Sequence, residues 1–172
     1  MTEAERMRLY AKVIGTLGDR ALPRLYETLV LSQRTRRFAL FPAPCLRRPV
    51  VQIQYTLLGI ELKVGRRRLS CPDMATARYL AVFAQLGVSA VAVPYDISQL
   101  PRVADAFETA WQQFLLATEH QVQALSPRLR NRARSHLLDT TREAIEALGA
   151  GAARPVFVQT TRQRPRSEPS RA

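Results

Sequence analysis

Apolar residues recur every three or four positions in the first thirty residues, which predicts two amphipathic helices. Thr2 and Glu5 have the spacing of a capping box at the start of the first helix, and Gly18 ends it. The second helix has an apolar face over residues 22–30. It is followed at once by a basic cluster of Arg34, Arg36 and Arg37. We therefore expect residues 1–37 to form a helical hairpin.

A strict alternation of apolar and polar residues follows a proline-rich connector at residues 38–49, which carries Arg47 and Arg48. The alternation covers residues 50–57 and is typical of a half-buried strand. Leu58 and Gly59 then turn the chain into a second strand over residues 60–64, so the pattern predicts a β-hairpin. On that second strand, Glu61 and Lys63 project together from the face opposite to the core-facing residues, Ile60, Leu62 and Val64.

A helix and a buried strand are predicted next. Pro72 and Asp73 suit the first turn of a helix that runs to Leu86, and Gly87 ends it. Residues 88–93 are apolar at every position except one, which indicates a strand covered on both faces. A strand, a helix and a strand in this order predict a right-handed crossover and a parallel pair.

Two long amphipathic helices fill residues 98–149, with proline near the start of each and Gly149 at the end of the second. Residues 150–172 are expected to form a linker, a short edge strand near residues 155–159 and a basic tail too polar to fold alone. The whole pattern predicts one α/β domain over residues 1–150, in which a small mixed sheet is flanked by two helical hairpins.

The charge of the chain points to a class of partner. It carries 24 arginines and 2 lysines against 14 acids, a net charge of +12. Arginine binds phosphate through paired hydrogen bonds, so we expect a nucleic-acid partner, either DNA or RNA. No apolar run reaches the roughly 20 residues of a membrane span, and residues 1–10 do not resemble a secretion signal. We expect a cytoplasmic protein with no membrane partner, in which Cys45 and Cys71 are structural thiols.

Half of the arginines lie in four short clusters, which are the candidate nucleic-acid contacts. One cluster lies in the last helix, where acids are absent from Leu125 to Leu138, so no neighbour along the chain neutralises it. The alternative is that arginines at every second position of a helix are spread around it and only solvate it. The candidates are Arg34, Arg36, Arg37, Arg47, Arg48, Arg66, Arg67, Arg68, Arg128, Arg130, Arg132 and Arg134.

The hairpin, helix and buried strand of residues 49–96, with Glu61 and Lys63 on the hairpin's second strand, resemble the core of the restriction-endonuclease-like superfamily, the PD-(D/E)xK nucleases. The resemblance implies that Glu61 is a ligand of a divalent cation, Mg²⁺, and that Lys63 is the catalytic cation. Metal-assisted hydrolysis of a phosphodiester needs both roles. The chain departs from the family upstream, where Gln52 and Gln54 stand in a segment that lacks any acid.

Three functions remain open from the sequence. The first is a nucleic-acid-binding protein whose nuclease-like core is catalytically degenerate. The second is a Mg²⁺-dependent nuclease that uses Glu61, Lys63 and an acid from outside the motif; against both, Glu61 and Lys63 can be an ordinary surface pair. The third is an assembly adaptor or homo-oligomer that pairs through residues 101–148, because Phe107, Trp111 and Phe114 need a surface to cover them.

Overall fold

A computed structural model describes residues 1–42 and 48–151. Five helices of four residues or more occur in these ranges. The first two precede all the strands, the third lies between strands and the last two end the described chain. Their bounds are α1, Glu3–Leu17; α2, Leu22–Leu25, continued by a π-helical turn at Tyr26–Val30; α3, Met74–Leu86; α4, Leu100–Val122; and α5, Pro127–Leu148.

The described residues also form five strands in two antiparallel sheets. One sheet has three strands in the order β2-β3-β4, joined by short turns, and the other pairs β1 with β5. The α/β fold class is thus confirmed. The bounds of the strands are β1, Thr35–Ala39; β2, Val51–Thr56; β3, Gly59–Val64; β4, Arg67–Cys71; and β5, Ala90–Pro94.

Two strands differ from the sequence prediction. The helical segment expected to reach residue 37 ends near Val30, and Thr35–Ala39 instead forms β1. The turn after β3 is only Gly65 and Arg66, after which Arg67–Cys71 forms β4 along the second edge of β3. The predicted hairpin of β2 and β3 is therefore confirmed, and it is extended to a three-stranded meander.

The predicted parallel pair is wrong. The strand after α3, β5, joins β1 in antiparallel register and does not join the meander. Its other edge meets two tyrosine side chains: the Ala92 N–H donates to the Tyr26 hydroxyl at 2.8 Å, and the Tyr79 hydroxyl donates to the Ala92 carbonyl at 2.7 Å. Burial of β5 on both faces is confirmed, because residues 91–94 are all buried.

Helix α3 lies at the centre of the core. Asp73 caps its N-terminus by accepting a hydrogen bond from the Thr76 N–H, and Gly87 ends it in the left-handed conformation with a φ of 90°. The meander packs one face on α3, which buries Leu62 and Val64. Tyr79 and Phe83 of α3 pack on each other and on rings of two neighbouring elements, with ring centroids 5.0 to 5.4 Å apart in the pairs Tyr26–Phe83, Tyr79–Phe83, Tyr79–Phe107 and Phe83–Phe107.

The two long helices are confirmed, but the reason given for an adaptor role is wrong. Phe107, Trp111 and Phe114 are buried within the chain and need no partner to cover them. Helices α1, α4 and α5 pack on one another, which supplies that cover. None of the helices in residues 1–42 and 48–151 is long and apolar enough to span a membrane.

Candidate nucleic-acid interface

Glu61 and Lys63 lie side by side on the outer face of the meander, as the alternation predicted. They belong to β3, the central strand, so each has a neighbour on both sides. Glu61 lies between Gln54 and Ser70, and Lys63 lies between Gln52 and Arg68. These six side chains form the centre of the sheet's polar face, and only Glu61 among them is acidic.

The nearest charged partner of Glu61 is a cation. A guanidinium nitrogen of Arg68 lies 3.6 Å from Glu61 Oε2, and the Glu61 side chain is 17% exposed whereas that of Arg68 is 62% exposed. Mg²⁺ prefers several oxygen ligands with negative charge, whereas this carboxylate has two amides, a hydroxyl and two cations around it. No group of three or more His, Cys, Asp or Glu side chains able to hold a metal occurs in the described residues. The side chains around Glu61 do not fit a magnesium site.

The four arginines of α5 divide into two pairs. Arg130 and Arg134 point toward α4. Arg130 donates to the Gln123 carbonyl at 2.7 Å and to the Leu125 carbonyl at 3.3 Å. Both carbonyls lie just after α4, where a helix leaves carbonyls without partners of its own. Arg134 forms an ion pair with Glu119 of α4 at 2.5 Å. This hydrogen bond raises the pKa of Arg134 and lowers the pKa of Glu119. The lack of acids from Leu125 to Leu138 therefore does not leave Arg134 without a partner, because Glu119 pairs with it from a different helix.

Arg128 and Arg132 lie on another side of α5. Residues 128, 132, 135, 139 and 142 follow the four-and-three spacing that places side chains in one stripe along a helix. Both arginines are exposed, and no acid of the described residues lies within 4 Å of either. They therefore form the cationic end of this stripe.

Arg48 docks on the same stripe from another part of the chain. Its guanidinium donates to the Ser135 carbonyl at 3.2 Å and to the Asp139 carboxylate at 3.3 Å. Arg142 lies 3.3 Å from the same oxygen of Asp139, and its second nitrogen lies 3.8 Å from Glu143. Two guanidiniums thus share Asp139, and Glu143 balances the second of them. The excess positive charge of the stripe therefore lies at Arg128 and Arg132.

The turn between β3 and β4 lies next to the segment that carries Arg48. The Gly65 N–H donates to the Val50 carbonyl at 2.8 Å, and a Cβ built on Gly65 would lie 3.6 Å from Pro49 Cβ. Arg66 and Arg67 follow this contact directly and are both exposed. We call the resulting surface the basic strip, and its members are Arg48, Arg66, Arg67, Arg128, Arg132 and Arg142.

The first arginine cluster is separate from the basic strip. Arg34 stacks on the Tyr95 ring, with its guanidinium carbon 4.9 Å from the ring centroid. Arg36 is half-buried opposite Val93 and Arg37 is exposed opposite Ala92, so both belong to the two-stranded sheet. Ser89 lies beside α5, because its N–H donates to Glu146 at 3.3 Å, and it also bonds to Leu40 after the end of β1. Arg34 lies beyond the other end of β1, roughly 20 Å from there at the rise of a strand.

Several candidates fall elsewhere or were missed. Arg47, Cys45 and the possible strand and tail beyond residue 151 lie outside the described residues. Cys71 is a buried free thiol, as expected. Arg142 was not selected from the sequence, although its spacing from Arg128 and Arg132 would have revealed it. The docking of Arg48 on α5 is a contact across 87 or more residues, and no local pattern signals it.

No protein-family model, curated protein or solved structure matches the chain. The resemblance of residues 49–96 to the PD-(D/E)xK nucleases accordingly stays a prediction. Because these comparisons give no relative, we base the function on the positions of the charged side chains.

Proposed function

We propose that the protein binds the phosphate backbone of nucleic acid through the basic strip. The observation that carries the proposal is the stripe on α5, where Arg128 and Arg132 continue the row in which Arg48 and Arg142 share Asp139. Arginine side chains held in one row can contact successive phosphates, and such contacts do not depend on base sequence.

The balance of charge favours this surface over the others. The strip has six guanidiniums, and Asp139 and Glu143 are the acids that pair with them. Two arginines elsewhere each meet two acids: Arg24 lies near Asp19 and Glu27, and Arg78 lies near Asp105 and Glu108. Six guanidiniums against two paired carboxylates leave the strip with excess positive charge, which attracts a polyanion.

The length of the strip suits a short stretch of backbone. From residue 128 to residue 142, an α-helix rises about 21 Å. Phosphates along one strand of DNA lie about 3.4 Å apart along the axis, so the α5 part of the strip spans about six of them. Arg66 and Arg67 extend the surface beyond the helix on the side of the meander.

Cleavage of the backbone is not part of this proposal. The side chains around Glu61 do not fit Mg²⁺, and the Glu61–Arg68 pair is accounted for as an ion pair on the polar face of the sheet. In this proposal, the nuclease-like meander is only the scaffold that holds Arg66 and Arg67 at the surface. A cytoplasmic location belongs to the same proposal.

The test measures the affinity of the full chain for labelled duplex DNA, single-stranded DNA and RNA between about 50 and 300 mM NaCl. The variant Arg128→Gln/Arg132→Gln removes two charges from the strip. The matched control, Arg20→Gln/Arg102→Gln, removes two charges from exposed arginines outside it. For duplex DNA, the first variant should bind more weakly and reduce the slope of log K against log[salt] by about two, whereas the control should keep the slope.

Two results would contradict the proposal. Binding that is absent, or that does not weaken with salt, would remove nucleic acid as the partner. Equal losses in the two double variants would show that the charge acts diffusely and that the strip has no special role. Arg130→Gln and Arg134→Gln serve as a further comparison. We expect both to lower the free energy of unfolding, because contacts with α4 are lost. They should change the slope of log K against log[salt] for duplex DNA less than the strip variant does.

A further inference from the structure

Strand β2 is an open edge of the meander. The sheet order gives it one neighbour, β3, and no strand of the described residues pairs with its other side. The Gly65 N–H bonds to the Val50 carbonyl, and bonded and non-bonded pairs alternate along an antiparallel ladder. The main-chain groups that point away from β3 therefore belong to Val51, Ile53 and Tyr55.

The usual protection of an edge strand is missing from β2. Soluble proteins commonly place charged residues, prolines or bulges on such edges to prevent pairing with other chains. Residues 50–60 contain no charged residue and no proline, in a chain of which 23% of residues are charged. The segment also exposes large apolar side chains: Val50, Tyr55 at 76%, Leu57 in full and Leu58 at 91%.

We propose that β2 pairs with β2 of a second copy of this chain, antiparallel and about a twofold axis through Ile53. The pairing joins two meanders into one six-stranded sheet. It uses a surface different from the long helices, and it does not depend on nucleic-acid binding.

The register follows from the outward main-chain groups. In a twofold antiparallel pair centred on Ile53, Val51 lies opposite Tyr55 of the second copy, and Ile53 lies opposite itself. This is the register in which all three outward residues bond to outward residues of the partner. It places the exposed Tyr55 ring beside an aliphatic side chain and Gln52 beside Gln54, so the strand is complementary to itself.

Charge explains why a second copy would meet at this place. Each copy carries a net charge of +12, so two copies repel each other over most of their surfaces. The neutral strand is where the approach is opposed least. A strand pair alone buries less than the roughly 800 Å² per partner of a standard interface, so we expect a weak dimer in the micromolar range.

The first experiment follows the full chain over about 1 to 100 μM, by sedimentation for its mass and by amide exchange for β2. Mass should rise from monomer to dimer, and the amides of Val51, Ile53 and Tyr55 should become protected with it. A monomer at every concentration would overturn the proposal. Protection of these amides that does not change with concentration would overturn it as well, because the chain's own residues would then cover the edge.

Variants of β2 identify the surface. Tyr55→Pro removes an outward N–H without removing a bond to β3, and it should abolish the dimer, whereas Tyr55→Thr keeps the N–H and should weaken it less. Tyr55 is largely exposed, so the meander should tolerate both changes. A dimer that persists in Tyr55→Pro would place the contact elsewhere, for instance on α4 or α5.

A second pair of variants tests the register without proline. Q52E/Q54K places opposite charges across the proposed twofold axis, and Q52E/Q54E places like charges there. Two pairs of opposed side chains should separate the dimer affinities of the two variants by about tenfold. Equal affinities would overturn the register. Circular dichroism checks that both variants remain folded, since position 54 also lies opposite Glu61.

Discussion

At the scale of single residues, the hydroxyl of Tyr26 connects three parts of the chain. It accepts a hydrogen bond from the buried Ala92 N–H and donates one to the Gly149 carbonyl, both at 2.8 Å. Tyr26→Phe would leave the Ala92 N–H without a partner on that edge of β5. We expect the free energy of unfolding to fall by about 2 kcal/mol, as urea denaturation would measure.

The control for this change is Tyr95→Phe. Tyr95 is exposed, and a phenylalanine ring would keep the contact with the Arg34 guanidinium. We expect a loss of about 0.5 kcal/mol or less. If Tyr26→Phe were equally mild, the hydroxyl would not be needed to satisfy the edge of β5.

Burial gives Cys71 a pH-dependent effect on stability. It raises the pKa of the Cys71 thiol from 9.0 to about 11. The unfolded chain then releases this proton first, so the stabilising effect is complete below pH 9 and is lost as the pH rises toward 11. We expect the free energy of unfolding to decrease across this range, with a slope from this thiol of at most about 1.4 kcal/mol per pH unit.

Cys71→Ala separates the thiol from the tyrosines that also titrate at high pH. Burial raises the pKa of Tyr26 and of Tyr79, so both contribute a fall of the same sign. The decrease should remain in Cys71→Ala but should be shallower than in the unmodified chain. Identical pH profiles for the two proteins would contradict the prediction.

Residue spacing could predict part of the site. The positions of Arg128 and Arg132 on one side of α5 and of Arg130 and Arg134 on another follow from helical geometry alone. Which side meets α4 does not follow, because Glu119 comes from a different helix. The contact of Arg48 with α5 could not be predicted either, since Ser135 and Asp139 are far from Arg48 in the sequence.

At the scale of elements, the start of α3 depends on one carboxylate. Asp73 accepts hydrogen bonds from the Thr76 N–H at 2.7 Å and from the Thr76 hydroxyl at 3.0 Å, and Thr76 is buried. Asp73→Ala should therefore lower the free energy of unfolding by about 1 to 2 kcal/mol in thermal or urea denaturation. Asp73→Asn keeps an acceptor and should lose less; equal losses would argue against a capping role.

Elements with a strong local pattern were predicted and those without one were missed. The alternation in β2, the apolar run of β5 and the proline and glycine signals of α3, α4 and α5 all lie within the segments themselves. β1 offers no such alternation, because Arg36 and Phe38 share a face in a strand whose partner, β5, is distant in sequence. β4 is a polar edge strand, in which only Leu69 and Cys71 are apolar.

The prediction of a parallel strand pair was wrong for a similar reason, because the contacts that decide it come from residues distant in the sequence. The order of strand, helix and strand fixes a handedness only when both strands belong to one sheet. Here the edge of β5 that faces the core is satisfied by Tyr26 and Tyr79, so no meander strand is needed there. Side chains that replace a strand partner leave no periodic signal in a sequence.

At the scale of the whole molecule, excess positive charge should make stability depend on salt. The net charge is +12, and most of the ion pairs are exposed, so each stabilises little. Screening of the repulsion among arginines should outweigh the weakening of these pairs. We expect the midpoint of thermal unfolding to rise by a few degrees from about 20 to about 300 mM NaCl, and a fall over that range would contradict this balance.

One side of α5 faces outward and another contacts α4, so we expect homologues to tolerate different substitutions on the two sides. Positions 128 and 132 need only a positive charge facing outward, so lysine and arginine should replace each other freely there among homologues. One guanidinium nitrogen of Arg130 bonds to two carbonyls near the end of α4, and the planar guanidinium holds its N–H groups in fixed directions, whereas an ammonium sits on a more flexible stem. Sequences that diverge from this one should therefore retain arginine at position 130 longer than at its outward neighbours.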